Sequence, residues 1–203
     1  MSQIQHPANN STRVAVVYHS GYGHTKLQAE AVARGAAAVP GTEVALIPVA
    51  EAEARWDELD GADAIVFGAP TYMGSLSAPF KAFIDSTSKT WAARKWRNKI
   101  AAGFTNSGSQ SGDKLNSLLQ LVTFAMQHGM IWVGLDLPPG NNHSKGSIAD
   151  LNRLGSSVGA MAQSNVDQGP EHGPIPSDLE TAAHLGARVA AFARRVSPVA
   201  QAA

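Results

Sequence analysis

Cysteine is absent from the chain, so no disulfide can form and no thiol is available for catalysis or metal binding. Charge is scarce too: 16 Lys+Arg stand against 16 Asp+Glu, 16% of the residues, well under the usual share. A net charge of zero leaves no electrostatic footprint for nucleic acid or an anionic surface, so small-molecule partners are expected. Apolar runs are short, and none approaches the roughly 20 residues of a membrane span. The opening MSQIQHPANNST lacks the apolar core of a signal peptide, which gives a cytoplasmic reading with no membrane insertion. His143 and His172 have no acidic or histidine partner at ligand spacing, so no metal site is expected. Low charge together with many Ala and Gly suggests surface buried in an oligomer.

What is present begins at residues 13–25, RVAVVYHSGYGHT. Val14 to Val17 form a continuous apolar run, as a strand buried on both faces does. Ser20-Gly21-Tyr22-Gly23-His24-Thr25 follows, and Lys26 to Val39 then takes helical spacing through Leu27, Ala31, Val32 and Gly35. A strand, a glycine-punctuated loop and a helix aim free backbone N–H groups and the helix dipole at one point, a site for an anion such as phosphate. It is not a Walker A loop, because no Gly-Lys-Ser/Thr ends it. The dinucleotide fingerprint would need glycine where Lys26 stands. Hydroxyls at Ser20 and Thr25, with no arginine, suit a phosphate monoester that stays bound.

Further along, Glu43–Ile47, Ala64–Phe67, Ile100–Phe104 and Met130–Val133 read as strands two to five, separated by helical stretches. The last helix opens with Pro176 and the capping box Ser177-x-x-Glu180. Alternating strands and helices predict an α/β fold: a doubly wound, five-stranded parallel sheet in the order 2-1-3-4-5 with helices on both faces. In that order the loops after strands one, three and four, the richest in Gly, Ser and Thr, converge on one crevice. Residues 1–12 read as a disordered leader to a single domain over 13–197. The stretch at about 135–175, rich in Gly, Pro, Asn and Ser, reads as a long insertion, with a loose helix over Ile148–Met161.

SGYGHT, GAPTYMGSLSAPFKAFIDST and FTNSGSQSG with the later HGM together resemble the WrbA-type, flavodoxin-like NAD(P)H:quinone oxidoreductases, also grouped as NADPH-dependent FMN reductases. The resemblance covers roughly residues 13–135 and the last helix. It implies a flavodoxin-like fold, non-covalent FMN, NAD(P)H as co-substrate, and a homodimer or homotetramer. By position, Ser20, Gly21, Tyr22, Gly23, His24 and Thr25 would hold the FMN phosphate. Pro70, Thr71, Tyr72, Met73 and Gly74 would line the ring and ribityl chain. Asn106, Ser107, Gly108, Ser109, Gln110, Ser111 and Gly112 would meet the pyrimidine side. Tyr22, Trp91 and His128 would serve the catalytic pocket, His128 in the protomer's own site or a neighbour's. Tyr72 stands where that family usually has arginine. The activity implied is hydride transfer from NAD(P)H to the flavin and then to a quinone. The competing reading is an electron-carrier flavodoxin without a substrate of its own, against which the neutral charge argues.

Overall fold

Residues 11–196 are described by a computed structural model. Its strands are β1 (Thr12–Tyr18), β2 (Thr42–Pro48), β3 (Ala64–Tyr72), β4 (Ser75–Leu76), β5 (Ile100–Ser107), β6 (Ile131–Trp132) and β7 (Ala160–Gln163). The helices are α1 (His24–Ala37), α2 (Trp56–Gly61), α3 (Ala78–Ser86), α4 (Ser88–Ala92), α5 (Lys114–Gln127) and α6 (Pro176–Val196). The sheet runs β2-β1-β3-β5-β6 with every one of those pairs parallel, which is the predicted order. Of the predicted leader, residues 1–10 lie outside the described residues. Thr12 already opens β1, and its N–H donates to the Gly41 carbonyl at 2.8 Å.

Period-two alternation along the strands builds a core on each face of the sheet. Val14, Val16, Ala64, Val66, Ala102 and Phe104 turn toward α1 and α6. Ala15, Val17, Ile65, Phe67 and Ala101 turn toward Leu59 of α2, Phe80 and Phe83 of α3, and Leu118, Leu121 and Phe124 of α5. Helices α1 and α6 approach so closely that a Cβ on Gly35 would run into the Ala183 carbonyl, and one on Gly186 into the Val32 carbonyl. Among the described residues no helix is long and apolar enough to cross a membrane.

Three departures from the predicted pattern matter for the site. The fifth strand is split: β6 pairs with Ile100 and Ala101, whereas β7, inside the predicted insertion, pairs with Phe104 to Ser107. The predicted helix over Ile148–Met161 does not form. Asn152 there takes a positive φ of 50°, and its side-chain amide donates to the Leu137 and Ser156 carbonyls while its Oδ1 accepts from the Ser156 N–H. A side chain that satisfies the backbone this way competes with the helical ladder. The other addition is β4, which turns back on β3 through Met73 and Gly74, both at positive φ. That is the signature of a tight two-residue hairpin.

Candidate functional site

The carboxyl ends of β1, β3 and β5 open onto one cavity of about 640 Å³, within the span of roughly 300–1,000 Å³ typical of small-molecule clefts. The first loop contributes Ser20, Tyr22, His24 and Thr25; the second contributes Pro70, Thr71, Tyr72 and Met73; the third contributes Asn106, Ser107 and Gly108. These three segments are distant in sequence, and the parallel sheet brings them together because β1 and β3 are neighbours where the strand order reverses.

At the first loop, Gly23 precedes α1 with a φ of 93° and no side chain caps the helix. Ser20 Oγ accepts from the Gly23 N–H at 3.1 Å, which holds the turn closed. Among the described residues, no acceptor meets the N–H groups of Tyr22, His24, Thr25 or Lys26. Thr25 is buried behind them. Several free donors at a helix N-terminus form a cradle for an anion. His24 Nδ1 lies 2.8 Å from the Gly173 carbonyl, which can only accept, so Nδ1 carries a hydrogen.

Deeper in the cavity, Thr71 Oγ1 lies 2.8 Å from both Thr105 Oγ1 and Ser117 Oγ, and Thr105 Oγ1 donates to the Ala69 carbonyl at 2.7 Å. This hydroxyl chain fixes the floor where β3 meets β5. At the mouth, Tyr22 and Tyr72 meet edge to face at 6.3 Å, with Met73 fully exposed beside them. Burial and the neighbouring Tyr22 raise the Tyr72 phenol above its usual value, so it stays a neutral hydroxyl at pH 7. A polar, hydroxyl-rich interior under an aromatic rim suits a ligand with a phosphate tail and a flat apolar head.

Sequence reasoning missed a fourth wall. Ser164, Asn165, Val166, Gln168 and Gly169, which follow β7, close the cavity between the first and third loops. Ser164 Oγ donates to Asn106 Oδ1 at 3.1 Å, and Gln163 Nε2 donates to the Gly108 carbonyl at 2.9 Å. The available signal was the alternation in Ala160-Met161-Ala162-Gln163, buried at every second residue.

Other predicted residues lie elsewhere. Gly21 belongs to the first loop just outside the lining, with its Cα beneath the Tyr72 hydroxyl, and Gly74 sits in the hairpin turn. Ser109, Gln110, Ser111 and Gly112 continue the third loop past the wall. There the fully buried Lys114 donates to the carbonyls of Ser109 and of Gln110, the latter at 3.0 Å. Burial pushes its ammonium down to about 8. Within this chain the structure does not bring His128 or Trp91 to the cavity. α5 leaves the cavity rim and runs back along the sheet for 14 residues, about 21 Å, so His128 ends at the far edge. It packs against Trp96 at 4.6 Å with the rings tilted by 32°, and Trp91 Nε1 donates to the Gln127 carbonyl at 3.0 Å nearby.

Thr87 Oγ1 gives its hydrogen to the Ile84 carbonyl, so His128 Nε2 donates to Thr87 Oγ1 at 2.9 Å, and Nδ1 is left buried without a partner among the described residues. Burial lowers His128 from 6.5 to about 4. The unfolded chain therefore binds a proton that the folded chain refuses. The stability conferred by this neutral histidine is full above pH 6.5 and declines as pH falls toward about 4. His128→Gln is expected to flatten that loss in melts taken across this pH range. The smaller contribution of His19, also lowered by burial, remains.

Comparison with known proteins fits this geometry. The NADPH-dependent FMN reductase family profile matches residues 38–136. The chain is 50% identical over 188 residues to a protein named flavodoxin FldP from Pseudomonas aeruginosa, covering 91% of this chain and 98% of that one. A crystal structure of a flavodoxin, WrbA-like protein from Agrobacterium tumefaciens superposes with a TM-score of 0.72 at 44% identity, over 92% of this chain and all of that one. A flavodoxin from the domain Archaea shares the fold, with a TM-score of 0.63 at 22% identity over 90% of this chain and 99% of that one.

Proposed function

Given that the chain belongs to the WrbA-like, flavodoxin-like family of FMN oxidoreductases, we propose that it binds FMN without a covalent link and passes two electrons from NAD(P)H to a quinone or a similar small acceptor. The observation that carries this reading is the convergence of three sheet-end loops, one ending in an uncapped helix, on a single cavity. FMN supplies the reversible uptake of a hydride when bound.

The chain's own residues do the rest. The N–H groups of Tyr22, His24, Thr25 and Lys26, with the α1 dipole, hold the phosphate, so no cation is needed there. Pro70, Thr71 and Tyr72 flank the ribityl chain and the ring. Asn106 and Ser107 bring the end of β5 against the ring's polar edge, and the Ser164 hydroxyl holds Asn106 in place. Tyr22 and Met73, both exposed at the mouth, give a flat apolar substrate a surface to stack on. Neutral overall charge favours small acceptors over docking on a charged protein partner.

The second reading, an electron carrier, is favoured by the flavodoxin name of the relative from P. aeruginosa. Anaerobic titration separates the two. FMN-loaded protein is expected to bleach on addition of NADPH alone and to regain its flavin absorbance on addition of benzoquinone. Bleaching only when a ferredoxin reductase is supplied would establish the carrier.

A further inference from the structure

A second cavity, of about 920 Å³, opens behind the third loop and shares no lining residue with the first. Gln110 and Ser111 form one side of it, the start of α5 another, and the stretch from Arg153 to Val158 a third. The functional reading above gives this cavity no task.

Its lining is divided in character. Leu115, Leu119, Leu154, Val158 and Met161 make an apolar shelf, on which Leu115 and Leu119, one helical turn apart, are half-exposed. Beside the shelf lies an excess of positive charge. Lys114 is fully buried, and its ammonium bonds only the carbonyls of Ser109 and Gln110. The charged groups that act on it are Asp178 and Arg153. These two are already paired, Arg153 Nε and Nη2 each 2.8 Å from a carboxylate oxygen, and the Arg153 side chain is only 6% exposed. A planar guanidinium bound through that edge turns Nη1 away from the carboxylate. Arg153 lines the cavity, and its Nη1 has no partner among the described residues. Two cations thus stand against one anion, whereas buried charges are ordinarily balanced. The N–H groups of Gln110 and Ser111 likewise lack an acceptor among the described residues. Asp113 adds a carboxylate to the lining, but it is exposed and leans toward the hairpin turn, where a Cβ on Gly74 would stand 3.9 Å from its Oδ2. An apolar shelf with a few polar groups at one end is the ordinary design of a small-molecule site.

We propose that this cavity binds a small monoanionic carboxylate with an apolar body, the carboxylate pairing with Arg153 Nη1 above the buried Lys114 charge and the body lying on Leu115 and Leu119. One negative charge balances the excess; a phosphate dianion would overshoot it. The site stands apart from the cofactor reading and does not depend on it.

Sodium octanoate is the probe, titrated calorimetrically into the full-length protein saturated with FMN, with octan-1-ol as its uncharged counterpart. Octanoate is expected to bind with a Kd below about 1 mM, and octanol at least tenfold more weakly. Lys114→Met removes the buried charge and Leu119→Glu spoils the shelf; each is expected to weaken octanoate at least tenfold. Met126→Glu, on the same helix but outside the cavity, is expected to leave the affinity unchanged. Thermal melts report folding, and should Lys114→Met fail to fold, Leu119→Glu against Met126→Glu decides. No binding up to about 10 mM octanoate, equal affinity for octanol, or an equal loss in Met126→Glu overturns the proposal. Octanoate that binds only FMN-free protein and is displaced by FMN occupies the first cavity, which overturns it too. If the chain takes up no FMN, the cofactor reading has failed, and the same titration without FMN still decides this one.

Discussion

Gly23→Val is expected to lower FMN affinity at least 100-fold, about 2.8 kcal/mol, while leaving the apoprotein folded. Gly23 sits at a φ of 93°, where a β-branched residue is strained whatever room it has. Here there is no room: a Cβ would stand 2.9 Å from Pro170 Cγ. The turn can yield by flipping its peptide, which breaks the Ser20 Oγ bond to the Gly23 N–H, or by pushing away the segment after β7. Either response scatters the free N–H groups at the start of α1. Helix packing against the core is untouched, because Val32, Gly35 and Ala36 lie turns away. Fluorescence titration of the apoprotein reads the affinity, and binding within tenfold of wild type would mean that this turn does not cradle a phosphate.

Asp178→Ala is expected to destabilise the fold by about 3–5 kcal/mol, because it leaves the Arg153 guanidinium buried without a counter-charge. The pair is bidentate, Arg153 Nε and Nη2 each at 2.8 Å from a carboxylate oxygen, with both side chains almost wholly buried. Asp178 also accepts the Gln163 N–H at 2.9 Å, so the variant leaves a β7 donor unpaired and Lys114 without its nearby anion. Replacing both partners with apolar residues, Arg153→Met with Asp178→Leu, removes the stranded cation. The double variant is expected to be more stable than Asp178→Ala alone, losing about 1–3 kcal/mol through the orphaned Gln163 N–H. Urea denaturation of the three proteins at pH 7 checks the order; a single variant as stable as the double would mean that Arg153 finds water or another partner.

The sheet and most of the cavity were legible because each glycine- and serine-rich loop interrupts an apolar run that could only be a buried strand. Val14–Val17 before Ser20, Ala64–Phe67 before Pro70 and Ile100–Phe104 before Asn106 all read this way. The motifs overran the wall at Ser109–Gly112, since spacing identifies a loop without saying where it leaves the cavity. Lys114 was hidden for a related reason: nothing in a lone lysine at a helix start reveals that its ammonium folds back beneath the preceding loop. The wall at Ser164–Gly169 was obscured because β7 is four residues long and follows a stretch dominated by turn formers. Its strand character comes from pairing with β5, a non-local gain that local propensity does not register. His128 and Trp91 entered through resemblance, and no periodicity tied either to the cavity.

The divided edge of the sheet has a topological corollary. Trp132 stands opposite Ala101 and Ala160 opposite Phe104, so two residues would bridge a gap that the chain crosses by a detour through Val133–Gly159. Shortening or exchanging that detour need not alter the register on either side of it. Leu135, sunk into the core beside α6, and Arg153, paired with the buried Asp178, are anchors that any transplant would have to reproduce. The segment beyond β7 lies outside that detour and packs on the turn before α1 through Pro170 and Gly173, so a change confined to Val133–Gly159 leaves this wall of the cavity in place.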